Sequence, residues 1–198
     1  HESAHKHVTG SARYVDDLAM PEGTLHAYLG LANCAHGLIT SLDLDSIRGV
    51  PGVKDVFTAN AIPGVNDISP TGSMDEPILA DKKVLFWGQP IFVVVAETRD
   101  IARQAARLGK VTYEKLPAIV DIKIALEGKQ GLVTPPMKLQ KGDIQKALRR
   151  SPHRLKGALE IGGQDHFYLE GQIAVALPGE DEDIEILAST QHPSEVQH

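Results

Sequence analysis

The run Ile91-Phe92-Val93-Val94-Val95-Ala96 most constrains the fold, because six consecutive apolar residues rich in β-branched side chains suit a strand buried on both faces. Ile101, Ala102, Ala105 and Leu108 then recur at helical spacing, so an amphipathic helix follows that strand. Residues 25–31 and 37–42 have strand-like apolar content and read as neighbouring strands around the turn-compatible residues 32–36. Asp43 is placed to cap a short helix through Arg48, Gly49 and Pro51 stop it, and residues 53–58 form the next strand.

Pro63, Gly64, Asn66, Asp67, Pro70, Gly72 and Pro77 defeat a regular hydrogen-bond ladder, so residues 62–77 read as an exposed loop. Residues 110–114 alternate as a further strand, and an irregular connection runs from Leu116 through Pro136. The first domain is therefore expected to end near residue 120, with a connecting segment over 121–150. Residues 143–149 read as a short helix, and residues 153–161, 173–177 and 184–188 as strands in antiparallel order. These last strands open a second unit of fewer than about 60 residues, too small to exclude enough water alone, and it is expected to be truncated.

A content of 42% hydrophobic and 23% charged residues fits a folded core and excludes a mainly disordered chain. The 26 acidic and 20 basic residues give a formal net charge of -6, which opposes nucleic-acid binding. The basic cluster of Lys141, Lys146, Arg149, Arg150, Arg154 and Lys156 contains Asp143 and reads as a solvated helix face. Cys34 is the single cysteine, so this chain alone builds no disulfide, thiolate zinc site or iron-sulfur cluster, and a reducing cytoplasm is expected. The sequence has no apolar run of about 20 residues and no signal-peptide pattern, so no membrane association is expected.

Few residues carry candidate chemistry. His1, His5 and His7 sit at a terminus that frays, and Asp16-Asp17 and Asp181-Glu182-Asp183 read as solvated turns rather than metal sites. Gly88-Gln89-Pro90 reads as a structural turn. The sequence contains no GxGxxG, P-loop or GxSxG pattern, which removes ordinary dinucleotide binding, phosphoryl transfer and serine hydrolysis. Asp165 and His166 are adjacent and would face opposite sides of a strand, so they make a poor acid–base pair. Gln164 differs from these, because its neutral amide follows Gly162 and Gly163, whose missing side chains leave room for a bulky group.

Five stretches occur in one order: Gly10-Ser-Ala-Arg-Tyr-Val-Asp-Asp-Leu18, Leu25-His26-Ala27 with Ala35-His36-Gly37, Pro51-Gly52-Val53, Glu76-Pro77-Ile78-Leu79, and Gly88-Gln89-Pro90. Together they resemble the N-terminal α/β hammerhead domain of molybdenum hydroxylases, the xanthine dehydrogenase and aldehyde oxidase family. Gly162-Gly-Gln-Asp-His-Phe-Tyr-Leu-Glu170 and Ser189-Thr-Gln-His-Pro-Ser-Glu-Val-Gln197 resemble that family's molybdenum-binding subunit. The resemblance implies an α+β fold, with a hammerhead over residues 1–120 and the first strands of a molybdopterin-binding domain over 151–198.

It further implies an oxidoreductase holding a molybdenum–molybdopterin cofactor, which hydroxylates a purine or aldehyde with oxygen from water. Xanthine dehydrogenase and purine catabolism are the closest match in phrasing, with aldehyde oxidase or another heteroaromatic hydroxylase as the alternative. Electrons would leave through 2Fe-2S clusters to FAD, in partner subunits or domains. By the same resemblance Gln164 is the cofactor-binding residue, its amide hydrogen-bonded to the apical oxygen of the molybdenum without ligating the metal. The family's glycine-rich Gly-Gly-Gly-Phe-Gly-Gly segment and its general-base glutamate are not in these 198 residues. No catalytic residue and no direct metal ligand is therefore expected in this chain, which by itself is expected to hold no cofactor and to be inactive. A reading of another class makes the hammerhead a structural interaction module, with unpaired strands after residue 150 that join another chain, as in a homo-oligomer, or stay mobile.

Overall fold

In the computed structural model, residues 2–70, 72–128 and 131–197 are described; His1 of the histidine-rich start lies outside them. The elements in order are α1 (Ala4–Thr9), β1 (His26–Leu31), β2 (Gly37–Asp43), α2 (Asp45–Arg48), β3 (Val53–Thr58), β4 (Lys83–Val84) and β5 (Pro90–Ala96). Then follow α3 (Arg99–Ala106), β6 (Lys110–Lys115), α4 (Ile122–Glu127), α5 (Ile144–Arg150), β7 (Ala174–Pro178), β8 (Ile184–Ala188) and α6 (Pro193–Gln197). Two compact units result, one of His1–Ile119 with Gln172–His198 and one of Val120–Gly171.

The valine run is the middle strand of the sheet β1-β5-β3, as its uninterrupted apolar character predicts, and both its neighbours run antiparallel to it. Tyr28, Val94 and Val56 share one register row and face the core, with Val94 and Val56 buried. Helix α3 covers this sheet through Ala102, Ala105 and Ala106, whose small side chains permit close approach, and Thr98 starts the helix by accepting the Ile101 N–H at 3.2 Å. A second antiparallel sheet, β4-β2-β6, sends Ile39, Leu42, Val111 and Tyr113 against the same core. Ile47, Val84, Ile91 and Val94 are fully buried, and each such side chain contributes about 1.5–3 kcal/mol on transfer from water.

The expectation that residues 25–31 and 37–42 form neighbouring strands is corrected, because β1 and β2 belong to different sheets. The connector between them is held apart at its two ends. Ala32 donates its N–H to the Gln89 carbonyl at 2.9 Å, while the His36 carbonyl accepts from Leu116 N–H at 2.9 Å. Residues 32–36 therefore carry the chain across the core instead of folding it back. The short helix is present as α2, but the expectation that Asp43 caps it is corrected: its N-cap is Leu44, with no side-chain cap, and Asp43 Oδ1 accepts the Asp45 N–H at 3.1 Å from one residue further out.

The proline-rich loop is irregular, as expected, and its own side chains substitute for a ladder. Asn66 brackets Leu79 from both sides, donating to its carbonyl at 2.8 Å and accepting its N–H at 3.0 Å. Asp67 accepts from the Ser69 hydroxyl and from the Ser69 and Glu76 amides. The Ser69 hydroxyl is the largest influence holding the Asp67 carboxyl below its ordinary range, with desolvation opposing it.

In the unit of residues 120–171, Asp143 caps α5 by accepting the Lys146 N–H at 2.8 Å, and the basic cluster around it is exposed, as read from sequence. Helix α4 interrupts the connection expected to be irregular. Asp121 caps it by accepting from Lys123 and Ile124 N–H at 2.8 and 3.0 Å. The strand expected over residues 153–161 is also corrected, because these residues are exposed and belong to no sheet. A strand pattern in sequence becomes a strand only where a neighbour supplies its hydrogen bonds. Strands β7 and β8 do have each other, pairing from Ala174↔Ala188 to Pro178↔Ile184. Asp181 and Glu182 adopt φ of 49° and 70° in the turn between them, so the acidic triplet is a hairpin turn.

Candidate functional site

Gly162, Gly163 and Gln164 lie on an exposed run, residues 153–168, that contains no bend, turn or helix. A Cβ built on Gly162 or Gly163 meets nothing within 4 Å, so the backbone beside Gln164 is open to an incoming group. The amide side chain is exposed rather than buried in either core. Its chemistry suits a cofactor contact, since it donates and accepts without importing a charge.

The residues after Gln164 shape the backbone. Asp165 Oδ1 accepts the Phe167 N–H at 3.4 Å, and Phe167 takes φ 53°, in the left-handed region. His166 and Tyr168 stack with ring centroids 5.6 Å apart and 7° between planes. Asp165 and His166 thus have separate local partners, in keeping with their reading as structural residues. The second motif starts where β8 ends. Ser189 Oγ accepts the Ile173 N–H at 3.0 Å, and Thr190 Oγ1 accepts the His192 N–H at 3.0 Å ahead of α6.

Among the described residues no three His, Cys, Asp or Glu side chains cluster to hold a metal. His5 and His7 lie on α1, where the His7 ring meets the Tyr14 hydroxyl at 3.3 Å. Gln89 was read as part of a turn, and the structure gives that residue a definite structural task. It is 1% exposed and accepts the Leu85 N–H at 2.8 Å, closing the turn that enters β5. No sequence reading identified the open cleft of about 200 Å³ lined by Cys34, His36, Trp87, Lys115 and Leu116, because its walls come from three separate connections. Cys34 donates to the His36 carbonyl at 3.3 Å, and His36 Nδ1 donates to the Pro117 carbonyl at 2.7 Å, so the groups facing the cleft serve the fold. No helix among the described residues is long and apolar enough to cross a membrane.

Residues 9–117 match the family described as aldehyde oxidase and xanthine dehydrogenase, a/b hammerhead domain, and residues 127–198 match the molybdopterin cofactor-binding domain. The xanthine dehydrogenase of Dictyostelium discoideum is 40% identical over 197 residues, 100% of this chain and 14% of that protein. Aldehyde oxidase 2 of Cavia porcellus is also 40% identical, over 199 residues, with the same two coverages. In three dimensions the aldehyde oxidoreductase of Desulfovibrio gigas superposes with a TM-score of 0.80 at 30% identity, covering 95% of this chain and 23% of that one. Quinoline 2-oxidoreductase of Pseudomonas putida 86 gives a TM-score of 0.80 at 28% identity, covering 98% and 26%. The chain therefore spans about one seventh of the length of these curated relatives. With both domains matched in the order that its motifs suggest, the chain belongs to the aldehyde oxidase and xanthine dehydrogenase family of molybdenum hydroxylases.

Proposed function

We propose that this chain is the hammerhead and first cofactor-binding segment of a xanthine dehydrogenase. The carrying observation is the joint match to the hammerhead and to the molybdopterin cofactor-binding domain, in a chain 40% identical to a xanthine dehydrogenase along its whole length. The cofactor, when bound, supplies the redox centre for hydroxylation of a purine with oxygen from water. Gln164 would donate its amide hydrogen bond to an acceptor on that cofactor, and Gly162 and Gly163 leave the approach clear. In the whole enzyme, 2Fe-2S and FAD partners would accept the electrons, in the cytoplasm, as part of purine catabolism.

Under this proposal the 198 residues are inactive by themselves, because the rest of the cofactor site belongs to the whole protein. Gln164 positions and does not take a proton, because an uncharged amide is a poor base. A second reading, aldehyde oxidation, is supported by the equal identity to aldehyde oxidase 2. Both are tested in a longer protein that extends this chain through the whole cofactor domain and is coexpressed with its iron-sulfur and flavin partners. Preferential turnover of xanthine or hypoxanthine supports the purine assignment; preferential turnover of aldehydes supports the second. A complex that is folded and contains no molybdenum overturns both.

A further inference from the structure

The chain changes direction shortly after Gln164. Residues 153–168 run without a bend, and bends follow at Leu169 and Glu170. The change starts at Phe167, whose φ of 53° lies in the left-handed region that aromatic residues rarely adopt. Asp181 and Glu182 take such angles to close a hairpin, but no strand pair among the described residues flanks Phe167. Two local contacts hold it instead. Asp165 Oδ1 accepts the Phe167 N–H at 3.4 Å, and the His166 and Tyr168 rings on either side of Phe167 stack with centroids 5.6 Å apart. Both contacts join residues two apart in sequence and need no neighbouring element.

We propose that Asp165 is a positioning residue for Gln164: its carboxylate fixes the turn that ends the extended run and so sets the direction in which the Gln164 amide points. This rests on the reading of Gln164 as a contact to the cofactor. Gly162 and Gly163, on the other side of Gln164, supply clearance but no fixed angle, because glycine reaches φ of either sign. The angle comes from Asp165. A hydrogen bond weakens steeply as it departs from linearity, so an amide that swings with its backbone loses the bond without losing its place in the sequence. Asp165 acts through the backbone, and the turn needs only an acceptor at the reach of its Oδ1. Asparagine keeps that acceptor, alanine removes it, and glutamate carries its carboxylate one methylene further out. No proton or electron passes through Asp165.

The test uses the longer, cofactor-loaded protein with its iron-sulfur and flavin partners. It reads the electron paramagnetic resonance signal of the molybdenum centre at equal molybdenum content, together with kcat and KM. Asp165→Ala is expected to shift the signal and to lower kcat about tenfold with KM little changed, whereas Asp165→Asn keeps both at the parent values. Asp165→Glu retains the charge without the turn and is expected to behave as Asp165→Ala; it carries the test where the alanine form does not fold. A parental signal in Asp165→Ala and Asp165→Glu, or an Asp165→Asn form as impaired as Asp165→Ala, overturns the proposal. Gln164→Ala, measured alongside, separates two failures. If it alone shifts the signal, Gln164 touches the cofactor and Asp165 does not position it; if none of the variants shifts the signal, the reading of Gln164 falls as well.

Discussion

Phe92 owes its place to two residues with no side chain. Its ring lies where a Cβ on Gly30 would come within 2.1 Å and a Cβ on Gly109 within 2.6 Å, and it is 2% exposed. Gly30 is also its cross-strand partner in the β1–β5 register. A methyl group at residue 30 must displace a buried aromatic ring, so Gly30→Ala is expected to destabilise the hammerhead by about 1–3 kcal/mol, measured by denaturant unfolding. An unchanged midpoint would contradict this packing. The apolar run containing Phe92 was legible in sequence, whereas its need for Gly30 and Gly109 was not, because the three meet only through tertiary contact. Gln89 was obscured for a similar reason. A lone glutamine between glycine and proline looks like any turn until its buried amide is seen holding Leu85 N–H. Gln164 was the reverse case, marked by the motif around it more than by any local geometry.

At the level of elements, local signals succeeded where local chemistry decides the outcome. Thr98 before the Ile101, Ala102 and Ala105 stripe, and Asp143 before α5, cap their helices through their own side chains. Thr98→Ala removes the acceptor for Ile101 N–H and is expected to cost about 1 kcal/mol, read as a lower unfolding midpoint with native α3 contacts retained. A neutral effect would mean that packing of Ala102, Ala105 and Ala106 alone sets the helix start. The misses have physical causes. β1 and β2 resembled a hairpin because the sequence does not reveal that Gln89 and Leu116 hold the connector ends apart. α4 was hidden among breakers, although Asp121 is a good cap. Residues 153–161 have a strand's alternation but no neighbour, and alternation specifies which face is apolar without supplying the ladder.

On the scale of the whole molecule, the two units divide the work. Residues 1–119 with 172–198 hold the buried core, while residues 120–171 carry Gln164 on exposed chain. The α+β hammerhead was recoverable from five short motifs in order, and the family match over residues 9–117 agrees with it. The cofactor role expected of Gln164 rests on the resemblance alone, since one amide and two glycines do not specify a ligand. The most direct test compares the longer, cofactor-loaded protein with its Gln164→Ala form by electron paramagnetic resonance of the molybdenum centre, with metal content measured alongside. The account predicts a changed molybdenum signal and turnover lower by about 10–100-fold. An identical signal at equal molybdenum content would show that Gln164 does not touch the cofactor.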